Sequence, residues 1–139
     1  MDKALNYLAL ARKGRMCELG EEPVGDITRA LKGHLVLVAS DASDHTWRRA
    51  KSYVAGTNQQ AIRVKYTKEE LGFVVGRQSL AIAAITDPAL ALALVNSLEE
   101  PEKYKAAAEV LAEKVAKAKQ RQSEAKAHQR NVRKGKVKK

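Results

Sequence analysis

Ser40, Asp41, Ser43 and His45 lie close together in the sequence, and these are the residue types of a nucleophilic triad. Their position favours a simpler interpretation, because they separate an apolar run from a helical pattern. Ser43 is well placed to cap that helix, and Asp41 suits a turn. No nucleophile–base pair stands out elsewhere in the sequence. We therefore expect no catalytic residues and no enzymatic activity.

The sequence also offers little to a metal or a cofactor. Cys17 is the single cysteine, which excludes an internal disulfide and a cysteine-based metal cluster. The histidines His34, His45 and His128 do not form a metal-ligand pattern with their neighbours. No glycine-rich segment matches a phosphate loop or a dinucleotide-binding loop. We expect no bound metal and no cofactor.

The strongest chemical signal is the basic character of the C-terminal region. Residues 1–100 hold 13 lysines and arginines against 12 acids, a net charge of +1, whereas residues 101–139 hold 13 against 4, a net charge of +9. Such a block binds polyanions, which include RNA, DNA and acidic membrane surfaces, or serves only as a solubilising tail. From residue 121 onward a single acid, Glu124, accompanies eight basic residues: Arg121, Lys126, Arg130, Arg133, Lys134, Lys136, Lys138 and Lys139. We predict that these eight neutralise phosphates with little sequence preference.

The remaining composition indicates a cytoplasmic protein with a packed core. Hydrophobic residues make up 45% of the chain, but aromatics only 4%, so a base-stacking platform is not expected. The N-terminus does not resemble a signal peptide. The longest apolar stretch, residues 80–95, is interrupted by Thr86, Asp87 and Pro88, and we predict no membrane span.

Helical and strand patterns alternate along the first 100 residues. Helical spacing and end signals predict helices over residues 3–13, 23–31 and 43–54, a short one after Thr67, and one from Pro88 onward. Thr67 and Glu70 fit a capping box. Continuous apolar runs predict buried strands over residues 35–39 and 80–85, and a second short strand is predicted over residues 61–64. This alternation predicts an α/β fold, a three-layer α-β-α sandwich, although it does not give the strand order.

The composition changes after Pro101. An apolar stripe at helical spacing follows and can dock either on the domain or on a second chain; it consists of Tyr104, Ala108, Leu111, Val115 and Ala118. Beyond Ala118 no large apolar residue appears before Val132, so we expect frayed helix and then disorder over residues 119–139. We divide the chain into a domain, residues 1–100, and a basic C-terminal helix and tail, residues 101–139.

Three segments in the same order resemble one family. They are Gly-Glu-Glu-Pro-Val-Gly-Asp at residues 20–26, LVLVASDAS at residues 35–43, and Lys-Glu-Glu-Leu-Gly-x-x-x-Gly at residues 68–76, followed by the strand at residues 80–85. Over residues 3–98 the chain is similar to the ribosomal L-seven-Ae and L-thirty-e family of kink-turn RNA-binding proteins, and most of all to its bacterial YlxQ-like branch. The resemblance implies an α-β-α sandwich without cofactor or catalysis.

The resemblance also implies an RNA-binding site at the start of the second helix, where the family has Gly-x-Asn-Glu-x-x-Lys. Gly20 keeps the glycine, but Glu22 replaces the Asn, Pro23 the Glu and Asp26 the Lys. Each lost base-edge contact typically costs about 1–3 kcal/mol, and the two acids repel phosphate. The YlxQ-like branch is similarly divergent here, which implies a different binding mode.

Two further loops assist RNA binding in the family, one after the first buried strand and one before the last. The resemblance places six residues of this chain there: Val38, Ser40, Asp41, Arg77, Gln78 and Ser79. Arg77 could reach a phosphate, whereas the alternative for all six is an ordinary strand end, turn or cap. Arg29 and Lys32, on the second helix, join the site if that helix faces RNA.

Two functions of different classes remain open. The first is an RNA-binding accessory protein, with ribosomal or other structured RNA as its partner, in which the tail supplies affinity and the domain supplies placement. The second is a protein-interaction module. Its acidic edge at Glu21, Glu22 and Asp26 would then dock a protein, and the stripe residues Tyr104, Leu111 and Val115 would bind a partner helix.

Overall fold

The computed structural model describes the backbone of residues 2–137 and the side chains of residues 2–126. Six helices and four strands follow one another in this part of the chain. The helices are α1 (Lys3–Lys13), α2 (Glu21–Arg29), α3 (Asp44–Val54), α4 (Lys68–Val74), α5 (Pro88–Ser97) and α6 (Lys105–Val137). The strands are β1 (Cys17–Leu19), β2 (Leu35–Val38), β3 (Gln60–Arg63) and β4 (Ile82–Ile85).

The four strands form one mixed sheet in the order β1-β4-β2-β3. β2 runs parallel to β3, with Leu35 opposite Gln60, and antiparallel to β4, with Leu35 opposite Ile85. β1 pairs antiparallel with β4, Cys17 lying opposite Ile85. β2 and β4 are buried at every residue, as expected for central strands covered on both faces.

Helices cover both faces of this sheet. α2 packs with α3 against β4, β2 and β3, whereas α1 packs with α4 and α5. The predicted α-β-α sandwich is therefore confirmed. The predicted capping box is also present: the Thr67 hydroxyl accepts from the Glu70 amide, and the Glu70 carboxylate accepts from the Thr67 amide. Ser43 caps α3 as predicted, its hydroxyl accepting from the Thr46 amide at 3.1 Å.

The C-terminal helix differs most from expectation. α6 continues through Val137, where the sequence predicted fraying and disorder. Residues 119–126 are all exposed, so burial does not explain the helix there. Its Ala, Lys, Gln and Glu residues have high intrinsic helix propensity, which sustains the helix without a packing surface.

The first part of α6 belongs to the domain. Tyr104, Ala107 and Leu111 join the main hydrophobic cluster, and the Tyr104 hydroxyl donates to the Arg63 carbonyl at 2.8 Å. The core thus extends beyond residue 100, where the sequence placed the domain boundary. Tyr104 and Leu111 are buried and Val115 is half-buried, so this stripe covers its own domain instead of a partner helix. The predicted protein contact through these three residues is corrected accordingly.

Candidate nucleic-acid interface

Three segments meet at one end of the sheet, which we call the loop pole: Gly20 after β1, Ser40–Asp41 after β2, and residues 77–79 before β4. Backbone hydrogen bonds bring them together. The Gly20 amide donates to the Ile82 carbonyl at 3.0 Å, and the Ala39 amide donates to the Ala81 carbonyl at 2.9 Å. The strand order explains the meeting, because β4 runs antiparallel to both β1 and β2.

Gly20 turns the chain from β1 into α2. Its φ of +97° lies in a region that favours glycine, and its carbonyl accepts the first helical bond from the Val24 amide at 3.0 Å. A guanidinium nitrogen of Arg77 lies 3.9 Å from the position that a Cβ on Gly20 would take. The structure therefore places Arg77 beside the N-terminus of α2.

The segment Arg77–Ser79 is held against α4. The Arg77 amide donates to the Gly72 carbonyl at 2.8 Å. A Cβ on Gly72 would lie 2.8 Å from both the Arg77 carbonyl oxygen and the Ser79 Cα, so this approach requires glycine. The side chains of Arg77, Gln78 and Ser79 are all exposed. Gly72 has a positioning role that the sequence prediction missed, although the Gly-x-x-x-Gly spacing contained the signal.

The loop after β2 is tied to the start of α4. The Asp41 carboxylate accepts from the Lys68 amide at 2.8 Å, and the Ser40 amide donates to the Tyr66 carbonyl at 2.8 Å. Ser40 and Asp41 are exposed, but Val38 is completely buried. The assignment of Val38 is therefore corrected: it is a core residue of a central strand that is buried on both faces, and it offers no side-chain surface to RNA.

The beginning of α2 presents an acidic surface. Glu22 and Asp26 are exposed, and with Glu18, Pro23 and Ile27 they line a shallow depression of about 410 Å³. Asp26 forms an ion pair with Arg29 one turn later. Arg29 is thus engaged locally, and the exposed Lys32 lies beyond the end of α2.

Glu21 is only partly exposed, and its role is structural. Its carboxylate accepts from the Thr46 hydroxyl at 3.2 Å and lies 3.5 Å from the Arg49 guanidinium. These contacts join α2 to α3. Glu21 therefore differs from Glu22 and Asp26, with which the sequence grouped it as one acidic edge.

The basic arm is the set of eight basic residues from Arg121 onward, and those up to Lys136 lie on α6. Arg121 and Lys126 are exposed on this helix. The side chains of the other six arm residues lie outside the described residues; they are Arg130, Arg133, Lys134, Lys136, Lys138 and Lys139. The backbone of Lys138 and Lys139 also lies outside them. In the part of the chain that is described, no helix is both long and apolar enough to cross a bilayer.

Comparisons with known proteins identify the fold. No family model matches the chain, and no curated protein does so. Among solved structures, a protein of unknown function from Bacillus halodurans is similar with a TM-score of 0.67 and 24% identity, over 72% of this chain and 100% of that one. A 15.5 kD RNA-binding protein from Giardia lamblia is similar with a TM-score of 0.52 and 18% identity, over 70% of this chain and 83% of that one. Both likenesses show a shared fold.

Proposed function

We propose that this chain is a non-catalytic, cytoplasmic RNA-binding protein of the kink-turn RNA-binding family, within its YlxQ-like branch, and that it binds ribosomal RNA in a ribonucleoprotein. The observation that carries the proposal is the meeting of Gly20, Ser40–Asp41 and Arg77–Ser79 at the loop pole. These are the three segments that the family resemblance assigns to RNA. The shared fold with an RNA-binding protein and the basic arm on α6 support it.

The distribution of charge gives the domain and the arm different roles in RNA binding. Glu22 and Asp26 leave the start of α2 unsuited to a phosphate backbone, so affinity comes mainly from the arm. Arg77 is exposed beside the N-terminus of α2 and supplies a phosphate contact within the loop pole. The arm thus binds the RNA, and the loops orient it. Recognition therefore differs from that of a family member in which the Gly-x-Asn-Glu-x-x-Lys motif is intact.

A paired substitution tests the role of the loop pole. Arg77→Gln should weaken binding to a ribosomal RNA fragment by several-fold. Arg48→Gln removes the same charge from an exposed position on α3 and is the matched control. Equal affinities for the two variants, measured by fluorescence anisotropy at one salt concentration, would contradict a loop-pole contact. Gly72→Ala, which displaces the backbone under Arg77, should resemble Arg77→Gln.

The acidic depression favours a second candidate function, the docking of a basic protein segment. Glu22 and Asp26 are exposed together around a depression of about 410 Å³ with the apolar Pro23 and Ile27. Reversing the charges in Glu22→Lys/Asp26→Lys should then abolish a protein complex while RNA binding stays unchanged or strengthens. Weaker RNA binding in this variant would contradict the second candidate.

A further inference from the structure

A cleft lies at the end of the sheet opposite the loop pole. His34 precedes β2, Asn58 precedes β3 and Pro88 follows β4, and α6 closes the fourth side around a volume of about 630 Å³. We call it the α6 cleft. It is separated from the loop pole by the length of β2, about 10 Å from first to last Cα.

The domain wall of the cleft is rigidly built. The loop between α2 and β2 passes through Leu31 with a φ of +61°, and the Gly33 amide donates to the buried Gln59 side chain at 2.9 Å. Gln59 in turn donates to the Thr28 carbonyl at 3.1 Å. A Cβ on Gly33 would lie 2.8 Å from the Thr28 methyl group, so the loop is closely packed. These contacts fix the position of His34 before any ligand binds.

The opposite wall carries a row of cations. Lys114, Lys117 and Arg121 line the cleft from successive turns of α6, with Glu113 as the acid among them. Lys117 is paired, its Nζ lying 3.1 Å from the Glu113 carboxylate. Within residues 2–126, no carboxylate lies within 4.0 Å of the charged groups of Lys114 and Arg121.

Lys114 is the unusual cation of this row. It is half-buried, and its Nζ lies 3.0 Å from Nδ1 of His34, to which it donates when the ring is neutral. Burial lowers the pKa of Lys114, and burial followed by the charge of Lys114 lowers the pKa of His34. The nearby carboxylate of Asp87 opposes the shift of the His34 pKa and is itself engaged in capping α5. A partly desolvated ammonium that faces only a neutral acceptor is a favourable place for an anion.

Further basic residues lie at this end of the sheet, which also holds the carboxylates of Asp87 and Glu113. Arg12 and Lys13 end α1, Arg15 precedes β1, and all three are exposed, as is Lys32. The loop pole instead carries Glu22 and Asp41 beside Arg77. A nucleic-acid backbone is therefore attracted to the end of the domain that holds the α6 cleft and that continues into the basic arm.

We propose that the α6 cleft binds a phosphodiester group of the RNA backbone, with Lys114 and Arg121 contacting the phosphate and His34 completing the site. The proposal rests on the RNA-binding function above and adds a second contact, remote from the loops that the resemblance identifies. An RNA held at this cleft passes onto the arm, because Arg121 lies both in the cleft and at the beginning of the arm.

The test is a salt titration of RNA binding by the full chain. Lys114→Gln/Arg121→Gln is compared with Lys103→Gln/Lys105→Gln, which removes two charges from exposed residues that do not line the cleft. With a single-stranded ribosomal RNA fragment, the cleft variant should reduce the log–log slope by about 0.7, which corresponds to the one phosphate of the site, and the control should keep the wild-type slope. Equal slopes in the two variants, with wild-type binding intact, would overturn the cleft while leaving RNA binding standing. Absence of wild-type binding would overturn both proposals.

An NMR measurement checks the site without relying on affinity. A phosphate beside His34 should raise the pKa of that imidazole when RNA is added, read from the ring resonances and assigned with His34→Gln. His45, exposed in the first turn of α3, is the internal control, and its ring resonances should not change when RNA is added. An RNA-saturated protein whose His34 pKa does not move would overturn the proposal.

Discussion

Replacing Leu111 by alanine tests whether the first part of α6 belongs to the domain core. Leu111 is 0% exposed and lies in the main hydrophobic cluster. Burying a leucine side chain is worth about 1.5–3 kcal/mol, and the cavity left by truncation adds to the loss. Leu111→Ala should therefore lower the free energy of unfolding by about 2–5 kcal/mol. Urea denaturation should show a lower midpoint with an unchanged slope.

Leu10→Ala is the matched control, because Leu10 lies in a helix but is 52% exposed. The same chemical change should there alter the free energy of unfolding by less than about 0.5 kcal/mol. If Leu111→Ala were as harmless as Leu10→Ala, residues beyond 100 would be a separate tail and the packing of α6 described here would be refuted.

Three further substitutions test contacts described above by their effect on stability. Thr67→Ala removes the capping box of α4 and should cost about 1 kcal/mol in urea denaturation, whereas full stability would contradict the cap. Gln59→Leu leaves the Gly33 amide without its buried partner, at about 1–3 kcal/mol, whereas the Thr28 carbonyl still accepts from the Leu31 amide; a neutral effect would refute the role of Gln59. Because the pKa of His34 is lowered in the folded state, the unfolded chain binds the proton more readily, and stability should fall as pH drops through about 6.5. His34→Gln should lose less stability than wild type between about pH 7.5 and 5.5, and identical losses would contradict the shift.

Most of the fold was predictable because local signals and burial agree. The run at residues 35–39 is apolar throughout and forms β2, and Ser43 and Thr67 cap the helices that they were predicted to cap. β1 was missed, because three residues with Glu18 facing outward carry no periodic signal and are ordered by pairing with β4. The order of the strands depends on such long-range pairing.

The candidate sites show the same difference between local sequence signals and long-range contacts. The family resemblance names the segments at Gly20, Ser40 and Arg77, and the structure brings them to one end of the sheet, while their contact with RNA stays a prediction. The α6 cleft was not found, because His34 and Lys114 lie 80 positions apart and only the docking of α6 brings them within 3.0 Å. The apolar run at residues 35–39 did predict the burial of Val38, and the assignment of Val38 to RNA failed because the resemblance placed it by its position next to a loop.

The central claim, RNA binding led by the basic arm, is tested most directly by the salt dependence of binding by the full chain. Ribosomal RNA, a kink-turn RNA and an unstructured RNA are each titrated against the full chain at several salt concentrations. If the eight basic residues from Arg121 onward each neutralise a phosphate, the log–log slope for a single strand approaches about −6. The account predicts a steep slope for all three RNAs and tighter binding to ribosomal RNA. Weak binding that is insensitive to salt, or no binding at all, would contradict it.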